Sequence, residues 1–430
     1  MFAKIIDKKF NIYTLGCKVN QYESDSMSDE LKSKGAILVG FGDVADICIV
    51  NTCSVTNMAE RKSRQIIHRA KKLNPNAVIV AVGCYVQADK KSLDADSQID
   101  IVIGNNRKKD IARILDEYFK DKEVKDNYID INKTCDYENM TLIKPVEHTR
   151  AYVKVQDGCN NFCSYCIIPY TRGRIRSRAL PDVLNEIKGL AKRGIKEVVI
   201  TGINLSSYCD ESGTSLLDLL QHVSHIEGIE RIRMGSLEPR VITTEFLQGI
   251  SRNKKICPHF HLSLQSACNE TLKRMNRKYT VEEYMEKCQM IRSYYDRPAI
   301  TTDVIVGFPG ETDEEFIITK SNLEQLKLYE MHIFKYSIRN GTVAATMHNQ
   351  VSDQIKEERS NILLQLAAKN KADFENSFRG ENVDILVEEY DKEETGCYIK
   401  GHTDRYILVR QLKDEDYCID NINKVITVEY

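Results

Sequence analysis

Short apolar segments alternate with longer amphipathic segments over the first 135 residues. The segments "FNIYTLG", "DICIVNT" and "AVIVAVG" are rich in β-branched residues, which is typical of buried strands. Between them lie stretches with helical periodicity, such as "QYESDSMSDELKSKG" and "NMAERKSRQIIHRAKKL". This alternation predicts an N-terminal α/β domain, residues 1–135, built on a parallel sheet flanked by helices.

A second series of alternating segments begins at Ala151, after a polar connector at 121–144. Its strand-like segments are "AYVKVQD", "EVVITGIN", "RIRMGS", "HFHLSLQ", "AITTDVIVGF" and "YEMHIFKYS". They recur at intervals of roughly 30–45 residues with helical patterns between them, as in a (β/α) barrel. We therefore expect a partial or complete (β/α)6 barrel over residues 145–370, with its chemistry at the carboxyl ends of the strands.

The pattern changes again after a long helical stretch that ends near residue 377. The segments "NVDILVEEY", "GCYIKGH", "YILVRQL" and "NKVITVEY" are short, alternate in polarity and are separated by charged turns. This pattern predicts a third domain, residues 371–430, that forms a small antiparallel β-barrel.

Composition narrows the class of protein. The length of 430 residues favours several domains, and the formal net charge of −2 means that any site for a polyanion must be local. No run of about 18 apolar residues occurs, so we expect neither export nor membrane insertion, and a cytoplasmic protein. Fourteen cysteines in such a chain indicate metal binding or catalysis rather than disulfides.

Three cysteines form C-x₃-C-x₂-C directly after the first barrel strand: Cys159, Cys163 and Cys166, here called the barrel cysteines. A structural zinc site and a ferredoxin cluster each use four protein ligands. The following segment "IIPYTRGRIRSR" offers no fourth cysteine or histidine. A [4Fe–4S] cluster on three cysteines, with one iron free for a substrate or cofactor, fits this spacing. Zinc completed by a distant ligand is the alternative.

Three more cysteines fall at or just past the ends of N-terminal strands: Cys17, Cys53 and Cys84, here called the N-terminal cysteines. Ligands of open α/β sheets bind at this edge, which favours a metal site. Their separations of 36 and 31 residues match no local ligand motif, so buried structural thiols are the alternative. The other eight cysteines show no mutual spacing and are interpreted as structural.

The motifs along the whole chain resemble, in order, those of the methylthiotransferases, a branch of the radical S-adenosylmethionine superfamily. They are "TLGCKVNQYES", "IVNTCSVTNMAERKSRQ", "VGCYVQ", "GCNNFCSYCIIPYTRGRIRSR", "GSLEP", "LSLQSACNETLKRMNRKYT" and "DVIVGFPGET". The last domain resembles the RNA-binding TRAM module. The sequence departs from the family pattern at Ala267, where glycine is usual; alanine is tolerated there unless the backbone needs a positive φ.

The resemblance implies two [4Fe–4S] clusters and S-adenosylmethionine as cofactors. The barrel cysteines would hold the cluster whose open iron is chelated by S-adenosylmethionine, which is cleaved reductively to a 5′-deoxyadenosyl radical. The N-terminal cysteines would hold an auxiliary cluster that carries sulfur. One S-adenosylmethionine would donate a methyl group and a second would generate the radical. Both sets of cysteines are thus candidate catalytic residues and metal ligands.

Further candidates line the expected mouth of the barrel. The strand ends "TGIN", "GSLEP" and "LSLQS" place Gly202, Asn204, Glu238 and Gln265 where S-adenosylmethionine would bind, and Tyr165 lies in the cysteine loop. Simple ordering of strand-end turns is the alternative for each. His259 and His261 share one face of a strand and are interpreted as structural.

Basic residues suggest a contact with RNA. Four arginines are spaced by two residues: Arg172, Arg174, Arg176 and Arg178. In an extended segment they would lie on one side and could face a polyanion. A basic strand that is simply solvated is the alternative. Arg274, Arg277 and Lys278 would extend this rim. Residues 371–430 contain 8 Lys and Arg against 15 Asp and Glu, a balance of −7, which is unexpected for an RNA-binding barrel. Arg410 is the cation expected on a small basic face there.

Members of the resembled family differ in their substrates. The segments "LGCKVNQYES" and "IPYTRGRIRSR" look most like the branch that acts on threonylcarbamoyladenosine beside the tRNA anticodon. Isopentenyladenosine in tRNA and an aspartate of a ribosomal protein are the alternatives within the class. A non-catalytic iron–sulfur RNA-binding protein is the alternative outside it. We expect tRNA and an electron donor such as flavodoxin or ferredoxin as partners, no membrane partner, and a monomer.

Overall fold

The computed structural model describes residues 4–122, 127–143 and 149–430. The N-terminal domain is a five-stranded sheet in the order β2-β1-β3-β4-β5 with all strands parallel. The strands are β1 (Lys9–Thr14), β2 (Ile37–Leu38), β3 (Ile47–Thr52), β4 (Val78–Gly83) and β5 (Ile101–Ile103). The helices are α1 (Lys18–Ser33), α2 (Asn57–Leu73), α3 (Cys84–Ala88), α4 (Lys90–Asp94) and α5 (Ile111–Asp121). The parallel sheet confirms the α/β class predicted for this region.

The central domain is an arc of parallel strands enclosed by helices. One sheet has the order β7-β6-β8-β9 and a second has the order β10-β11-β12, and single bridges from Ile232 to Ile256 and from Leu237 to Leu262 join their neighbouring edges. The strands are β6 (Arg150–Asp157), β7 (Arg176–Ser177), β8 (Glu197–Gly202), β9 (Arg231–Met234), β10 (His259–His261), β11 (Ala299–Val306) and β12 (Glu330–Lys335). Apart from the short antiparallel β7, these six strands form the partial (β/α)6 barrel that the sequence predicts.

Most of the longer helices of the central domain begin after a serine or threonine whose side chain caps them. Ser215 with Asp218, and Thr280 with Glu283, form reciprocal capping boxes at two of the helices. The helices are α6 (Ile168–Thr171), α7 (Leu180–Lys192), α8 (Leu216–Ser224), α9 (Thr244–Ser251), α10 (Asn269–Arg274), α11 (Val281–Tyr294), α12 (Asp313–Leu326) and α13 (Asp353–Asn376). One apolar core continues from β1 and α1 into β6 and β8, so the first two domains are packed together.

The C-terminal domain is a four-stranded antiparallel sheet in the order β15-β14-β13-β16. Its strands are β13 (Asn382–Glu393), β14 (Gly396–Thr403), β15 (Leu408–Lys413) and β16 (Val425–Glu429), and α14 (Glu415–Asp420) covers one end. The Gln411 side chain donates to the Glu429 carbonyl, which brings the two outer strands together as in a small barrel. Residue 371, the predicted start of this domain, lies within α13, and the sheet begins at Asn382.

The C-terminal domain closes the floor of the central barrel, at the amino ends of its strands. The ring of Tyr406 lies 5.0 Å from the Arg150 guanidinium and 4.8 Å from that of Arg233. Glu197 accepts from Arg233 at 3.0 Å, and although burial opposes its ionisation, Arg233 and Arg150 hold its pKa at about 2.

Among the described residues, no helix combines the length and apolar character needed to cross a bilayer.

Candidate functional site

The barrel cysteines lie on the loop after β6, at the carboxyl end of the barrel strands. Gly158 opens this loop with φ of 73°, and a Cβ at this position would lie 1.8 Å from the Arg174 carbonyl oxygen, so the turn requires glycine. The Asn161 N–H donates to Cys159 Sγ at 3.4 Å, and Arg277 Nη1 donates to Cys163 Sγ at 3.3 Å. Burial raises the pKa of the Cys166 thiol to about 12, with a further increase from the neighbouring Cys163 and Cys159. The three sulfurs therefore converge.

The N-terminal cysteines also converge, at the carboxyl edge of the first sheet. Cys17 directly precedes α1, Cys53 follows β3, and Cys84 begins α3 after β4. Gly16 has φ of 104°, and a Cβ on it would lie 3.0 Å from Cys53 Sγ, so glycine allows these loops to approach closely. Burial raises the pKa of the Cys53 thiol to about 12, and Cys84 and Cys17 contribute to the rise. Three strand ends thus bring three thiols into one group, as the sequence predicts.

Arg172 connects the two groups of cysteines. Its Nε donates to Cys84 Sγ at 3.2 Å, while the side chain of Asn105 donates to Cys84 Sγ at 3.7 Å and to the Thr171 carbonyl at 2.6 Å. Only six residues separate Cys166 from Arg172, so their Cα atoms are at most roughly 22 Å apart even if the segment were fully extended. Residues Ile168–Thr171 are helical, which shortens this separation. The cysteine edge of the first sheet therefore faces the mouth of the barrel.

A buried ionic network fixes Arg172. Glu23 accepts hydrogen bonds from Lys108 and Lys154, both at 2.7 Å, and from Arg172 at 2.8 and 3.0 Å. Asp157 pairs with Lys154 at 2.6 Å and with Arg172 at 3.2 Å. Burial raises the pKa of the Glu23 carboxyl, but the three cations outweigh it, Arg172 most strongly, and hold this pKa well below its usual range. The network joins α1 of the first domain to β6 of the second.

The prediction that four arginines after the cysteine loop face a polyanion is wrong for three of them. Arg172, Arg176 and Arg178 are buried, because their charges are neutralised inside the protein by Glu23, Asp157 and Glu186. The prediction that the four side chains lie on one side of an extended segment is also wrong, because Arg172 caps the end of α6, Gly173 has φ of 73° and only Arg176–Ser177 is a strand. Arg174 alone is exposed, with its guanidinium 4.5 Å from the Phe162 ring.

A cavity of about 260 Å³ lies beside the barrel cysteines. It brings together Cys163 and two of the predicted cofactor residues, Asn204 and Glu238. Asn204 Nδ2 approaches Cys159 Sγ at 3.8 Å, and Glu238 accepts from Arg277 Nη2 at 2.9 Å. A carboxylate, an amide and a cationic donor next to three thiols suit the amino-acid and ribose groups of S-adenosylmethionine.

The other three predicted cofactor residues have identifiable structural roles. A Cβ on Gly202 would lie 2.9 Å from the Gln156 side chain, so this glycine allows close packing between strands. Gln265 has φ of 73° and continues the sheet through backbone hydrogen bonds with Asp303 and Ile305. The Tyr165 ring packs edge-to-face on Phe308 at 6.3 Å. Their contact with a cofactor stays a prediction.

Ala267 is not among the residues with positive φ, which accounts for the tolerated departure from glycine.

The residues present fit two iron–sulfur clusters. Each group consists of three convergent sulfur atoms with N–H donors aimed at them: Asn161 and Arg277 in one, Arg172 and Asn105 in the other. Thiolates that lie this close together repel one another, which raises the pKa of each thiol. A bound metal cation attracts the thiolates and therefore lowers these pKa values. Hydrogen bonds to cluster sulfurs are among the features that set reduction potential.

Sequence reasoning missed Glu23, Lys108, Lys154 and Asn105 as parts of this site. Helix α1 is unusual because many of its buried residues are polar. They are Glu23, Ser24, Asp25, Ser26 and Ser28. The dense run of polar residues in "NQYESDSMSDE" was the available signal, because buried polar groups are usually paired inside the protein. Arg277 had been assigned to a basic rim, but it is buried against Cys163.

The cations of the C-terminal domain are mostly paired with neighbouring acids. Lys400 bridges Glu389 and Asp391, and Arg410 pairs with Glu393 while lying 3.7 Å from the Tyr398 ring. Arg410 shares an exposed face with Leu408 but not with Tyr406, because Tyr406 precedes β15 and packs against the barrel floor.

Comparison with known proteins agrees with this architecture. Residues 9–104 match the model described as "Uncharacterized protein family UPF0004", and residues 153–321 match that of the radical SAM superfamily. Among solved structures, the radical S-adenosylmethionine methyltransferase TsrM from Kitasatospora setae superposes with a TM-score of 0.57 at 14% identity, covering 79% of this chain and 77% of that one. At this identity the likeness establishes the fold.

Similar sequences extend over nearly the full length. The chain is 40% identical over 399 residues to the threonylcarbamoyladenosine tRNA methylthiotransferase MtaB of Aquifex aeolicus, covering 93% of this chain and 97% of that protein. It is 37% identical over 421 residues to the protein of the same name from Bacillus subtilis, covering 97% and 92%. It is 38% identical over 396 residues to the tRNA-2-methylthio-N(6)-dimethylallyladenosine synthase of Thermoanaerobacter pseudethanolicus, covering 90% and 83%.

Proposed function

The chain belongs to the radical S-adenosylmethionine tRNA methylthiotransferases, and from this premise we propose that it inserts a methylthio group at C2 of N6-threonylcarbamoyladenosine beside the anticodon. It is an enzyme that uses [4Fe–4S] clusters and S-adenosylmethionine. One S-adenosylmethionine supplies the methyl group and a second is the radical source. The relatives from Aquifex aeolicus and Bacillus subtilis carry the name of this activity.

The observation that carries the proposal is the hydrogen bond to Cys84 from Arg172, which follows the barrel cysteines in the chain and also binds Asp157 at the start of their loop. In this assignment the barrel cysteines hold the cluster at which S-adenosylmethionine binds, and the N-terminal cysteines hold the second cluster. When bound, the clusters supply the electron for cleavage and a place for sulfur. Arg172 donates to Cys84, and Arg277 donates to Cys163, so each cation orients one sulfur ligand. Proximity of the two groups keeps the reacting partners together.

The side chains around the cavity near the barrel cysteines bind and orient the cofactor in this proposal. Asn204, Glu238 and Arg277 form its polar wall. The pair between Glu238 and Arg277 fixes both charges, so the carboxylate is held in one orientation beside Cys163. Gly202 and Gln265 are assigned to the same site from their places at the strand ends, and Tyr165 from its place in the cysteine loop.

Nucleoside mass spectrometry tests the proposal. Cells that lack the protein and cells that regain it would be compared for the methylthio derivatives of threonylcarbamoyladenosine and of dimethylallyladenosine in total tRNA. We expect only the first to depend on the protein. Dependence of only the second would assign the chain to the other activity, for which a 38% identical relative is the specific support. An unchanged nucleoside profile would argue against tRNA as the substrate.

Further partners and location are part of the same proposal. A low-potential flavodoxin or ferredoxin would reduce the clusters, and the enzyme would act as a monomer in the cytoplasm. The support is chemical: fourteen cysteines without a disulfide among them suit a reducing compartment. Arg174 and Arg410, the exposed members of the arginines assigned to RNA, remain the proposed contacts with tRNA.

A further inference from the structure

Three polar side chains meet on the inner face of the barrel, on three neighbouring strands. They are His261 at the end of β10, Asp303 in β11 and His332 in β12, here called the inner triad. His261 Nε2 lies 3.4 Å from Asp303 Oδ2, and the two imidazole rings stack with centroids 5.9 Å apart at 28°. The ligand atoms of all three residues lie within 4.8 Å of one another. His261 and His332 flank Asp303, so the three groups act on one small volume.

The alternation of side chains places the inner triad inside the barrel. Val304 and Val306 of β11, and Met331 of β12, belong to the apolar core that lies under the surrounding helices. Successive side chains of a strand point to opposite faces, so Asp303 and His332 point the other way, into the barrel. Phe334, two residues after His332 on the same face, is 47% exposed. The inner face is therefore open to a ligand rather than filled by core side chains.

The hydrogen-bonding capacity of the inner triad is only partly used within the protein. His261 Nδ1 lies 2.9 Å from Thr301 Oγ1, which fixes the ring. Over residues 4–122, 127–143 and 149–430, the His332 side chain makes no hydrogen bond, although its backbone pairs with β11, and the residue is exposed. Lys18, the residue after Cys17, lies close enough to Asp303, Arg150 and Arg233 to interact with them electrostatically. Acceptors and cationic donors are thus available together.

The inner triad lies at a defined depth below the cofactor. Asp303 precedes Gly307, and His261 precedes Gln265, by four residues each, which corresponds to roughly 13 Å along a strand. Lys18 is adjacent in sequence to a cluster ligand, so the N-terminal cysteines lie above one side of this chamber. A nucleobase whose C2 is held near both groups of cysteines would direct its N6 substituent toward the floor.

We propose that the inner triad binds the threonylcarbamoyl arm of the substrate nucleoside. This inference rests on the function proposed above. The arm is an amino-acid derivative that carries a carboxylate, a hydroxyl and N–H groups, and it extends about 7 Å, comparable to two residues of extended chain. Asp303 accepts from the hydroxyl or N–H groups, while His332, His261 and Lys18 face the carboxylate. An apolar dimethylallyl arm would cover these polar groups without pairing them, which disfavours it.

A divalent metal ion is the alternative occupant. Ligand atoms that bind zinc at about 2.0–2.2 Å in a tetrahedron lie roughly 3.3–3.6 Å apart. The distance of 3.4 Å between His261 and Asp303 meets this requirement. The ligand atoms of all three residues lie within 4.8 Å of one another, so the experiment below also measures bound metal.

The test compares arms on one RNA scaffold with the holoenzyme. Three anticodon stem-loops would carry threonylcarbamoyl-, glycylcarbamoyl- or dimethylallyladenosine at the same position. The variants are Asp303→Asn and His332→Gln, and the matched control is His222→Gln on the surface helix α8. For the threonylcarbamoyl stem-loop, we expect KM and the equilibrium Kd, measured by fluorescence anisotropy, to rise about 10- to 100-fold in both variants, as expected for loss of charged hydrogen bonds. S-adenosylmethionine cleavage without RNA should be unchanged.

The wild-type protein provides a measurement that needs no variant. The glycylcarbamoyl arm lacks the hydroxyl and methyl groups of threonine, so it should bind several-fold more weakly, and Asp303→Asn should reduce this difference. If the wild type converts the threonylcarbamoyl stem-loop while both variants keep its KM and Kd, the inner triad does not bind the arm. If the wild type converts only the dimethylallyl stem-loop, the proposed function itself is refuted. One equivalent of a metal other than iron, lost in His261→Gln, would also overturn the assignment.

Discussion

Replacing Glu23 by Gln removes one charge from the centre of the buried network and keeps its shape. In the wild type this carboxylate accepts four hydrogen bonds from Lys108, Lys154 and Arg172, all of them at 3.0 Å or less. After the substitution, Asp157 still pairs with Lys154 and Arg172, whereas Lys108 loses its carboxylate partner. Loss of one partner of a buried ion pair costs about 3–5 kcal/mol. At about 2–4 °C per kcal/mol, the melting temperature should fall by roughly 6–20 °C.

The loss of stability in Glu23→Gln should depend on pH, in a direction set by the pKa of Glu23. The folded-state pKa of Glu23 is depressed, so its contribution is fully present above the unfolded value of about 4.3 and is lost as pH falls toward the folded value. The difference in unfolding free energy between wild type and Glu23→Gln should therefore be constant above about pH 5 and shrink below about pH 4.

Urea denaturation followed by circular dichroism, from pH 3 to pH 8, measures this difference. Glu30→Gln is the control, since Glu30 lies on the same helix and makes an exposed pair with Lys34 that contributes at most about 0.5 kcal/mol. A Glu23→Gln protein within about 0.5 kcal/mol of wild type at pH 7 would show that the network does not carry the energy assigned to it.

Four further predictions concern the clusters and the RNA. Changing the barrel cysteines together to Ala should leave about half of the roughly eight irons expected for two clusters and abolish 5′-deoxyadenosine; continued formation of that product would contradict their assignment. Changing the N-terminal cysteines together to Ala should preserve reductive cleavage without methylthio product, and full product formation would make these thiols structural. Gly158→Ala should lower iron content as the barrel triple variant does, because its Cβ meets the Arg174 carbonyl at 1.8 Å, whereas Gly213→Ala, with nothing within 4 Å, should not. Arg174→Ala and Arg410→Ala should each weaken tRNA binding and reduce the slope of affinity against salt concentration by about 1; Arg405→Ala, whose side chain bonds to the backbone of Asp296 and Arg297, should leave that slope unchanged.

Local patterns along the chain predicted the elements well. The β-branched segments at Ile47–Thr52 and Val78–Gly83 form strands, and each N-terminal cysteine lies at the strand end where the pattern placed it. The strand of two residues at Ile37–Leu38 and the helix at Glu415–Asp420 were not predicted, because neither is long enough to show a period. The two groups of cysteines could be proposed as cluster ligands for the same local reason, because their spacing and their places at strand ends are properties of short segments.

The direction in which charged side chains point was not accessible from the sequence. Arginines at alternate positions are compatible with an exposed side of the chain and with a buried one. Burial requires carboxylates, distant in the sequence, that pair with the arginines. Arg178 is buried because Glu186 of α7 and Tyr22 of α1 bond to it, and Tyr22 is 156 residues away. Such pairing is a consequence of how the first two domains pack, and no pattern within either segment reports it.

Stability alone does not account for keeping this many charges inside. Exchanging a buried ion pair for apolar residues of similar volume is often neutral or stabilising, so a network around Glu23 is a poor way to strengthen a core. An apolar substitute would, however, leave nothing to hold Arg172 with its Nε aimed at Cys84 Sγ. The same guanidinium also binds Asp157, two residues before Cys159, which ties the orientation of one sulfur ligand to the base of the other cysteine loop. We infer that the network is retained because it fixes the two groups of cysteines relative to each other, as a transfer between them requires.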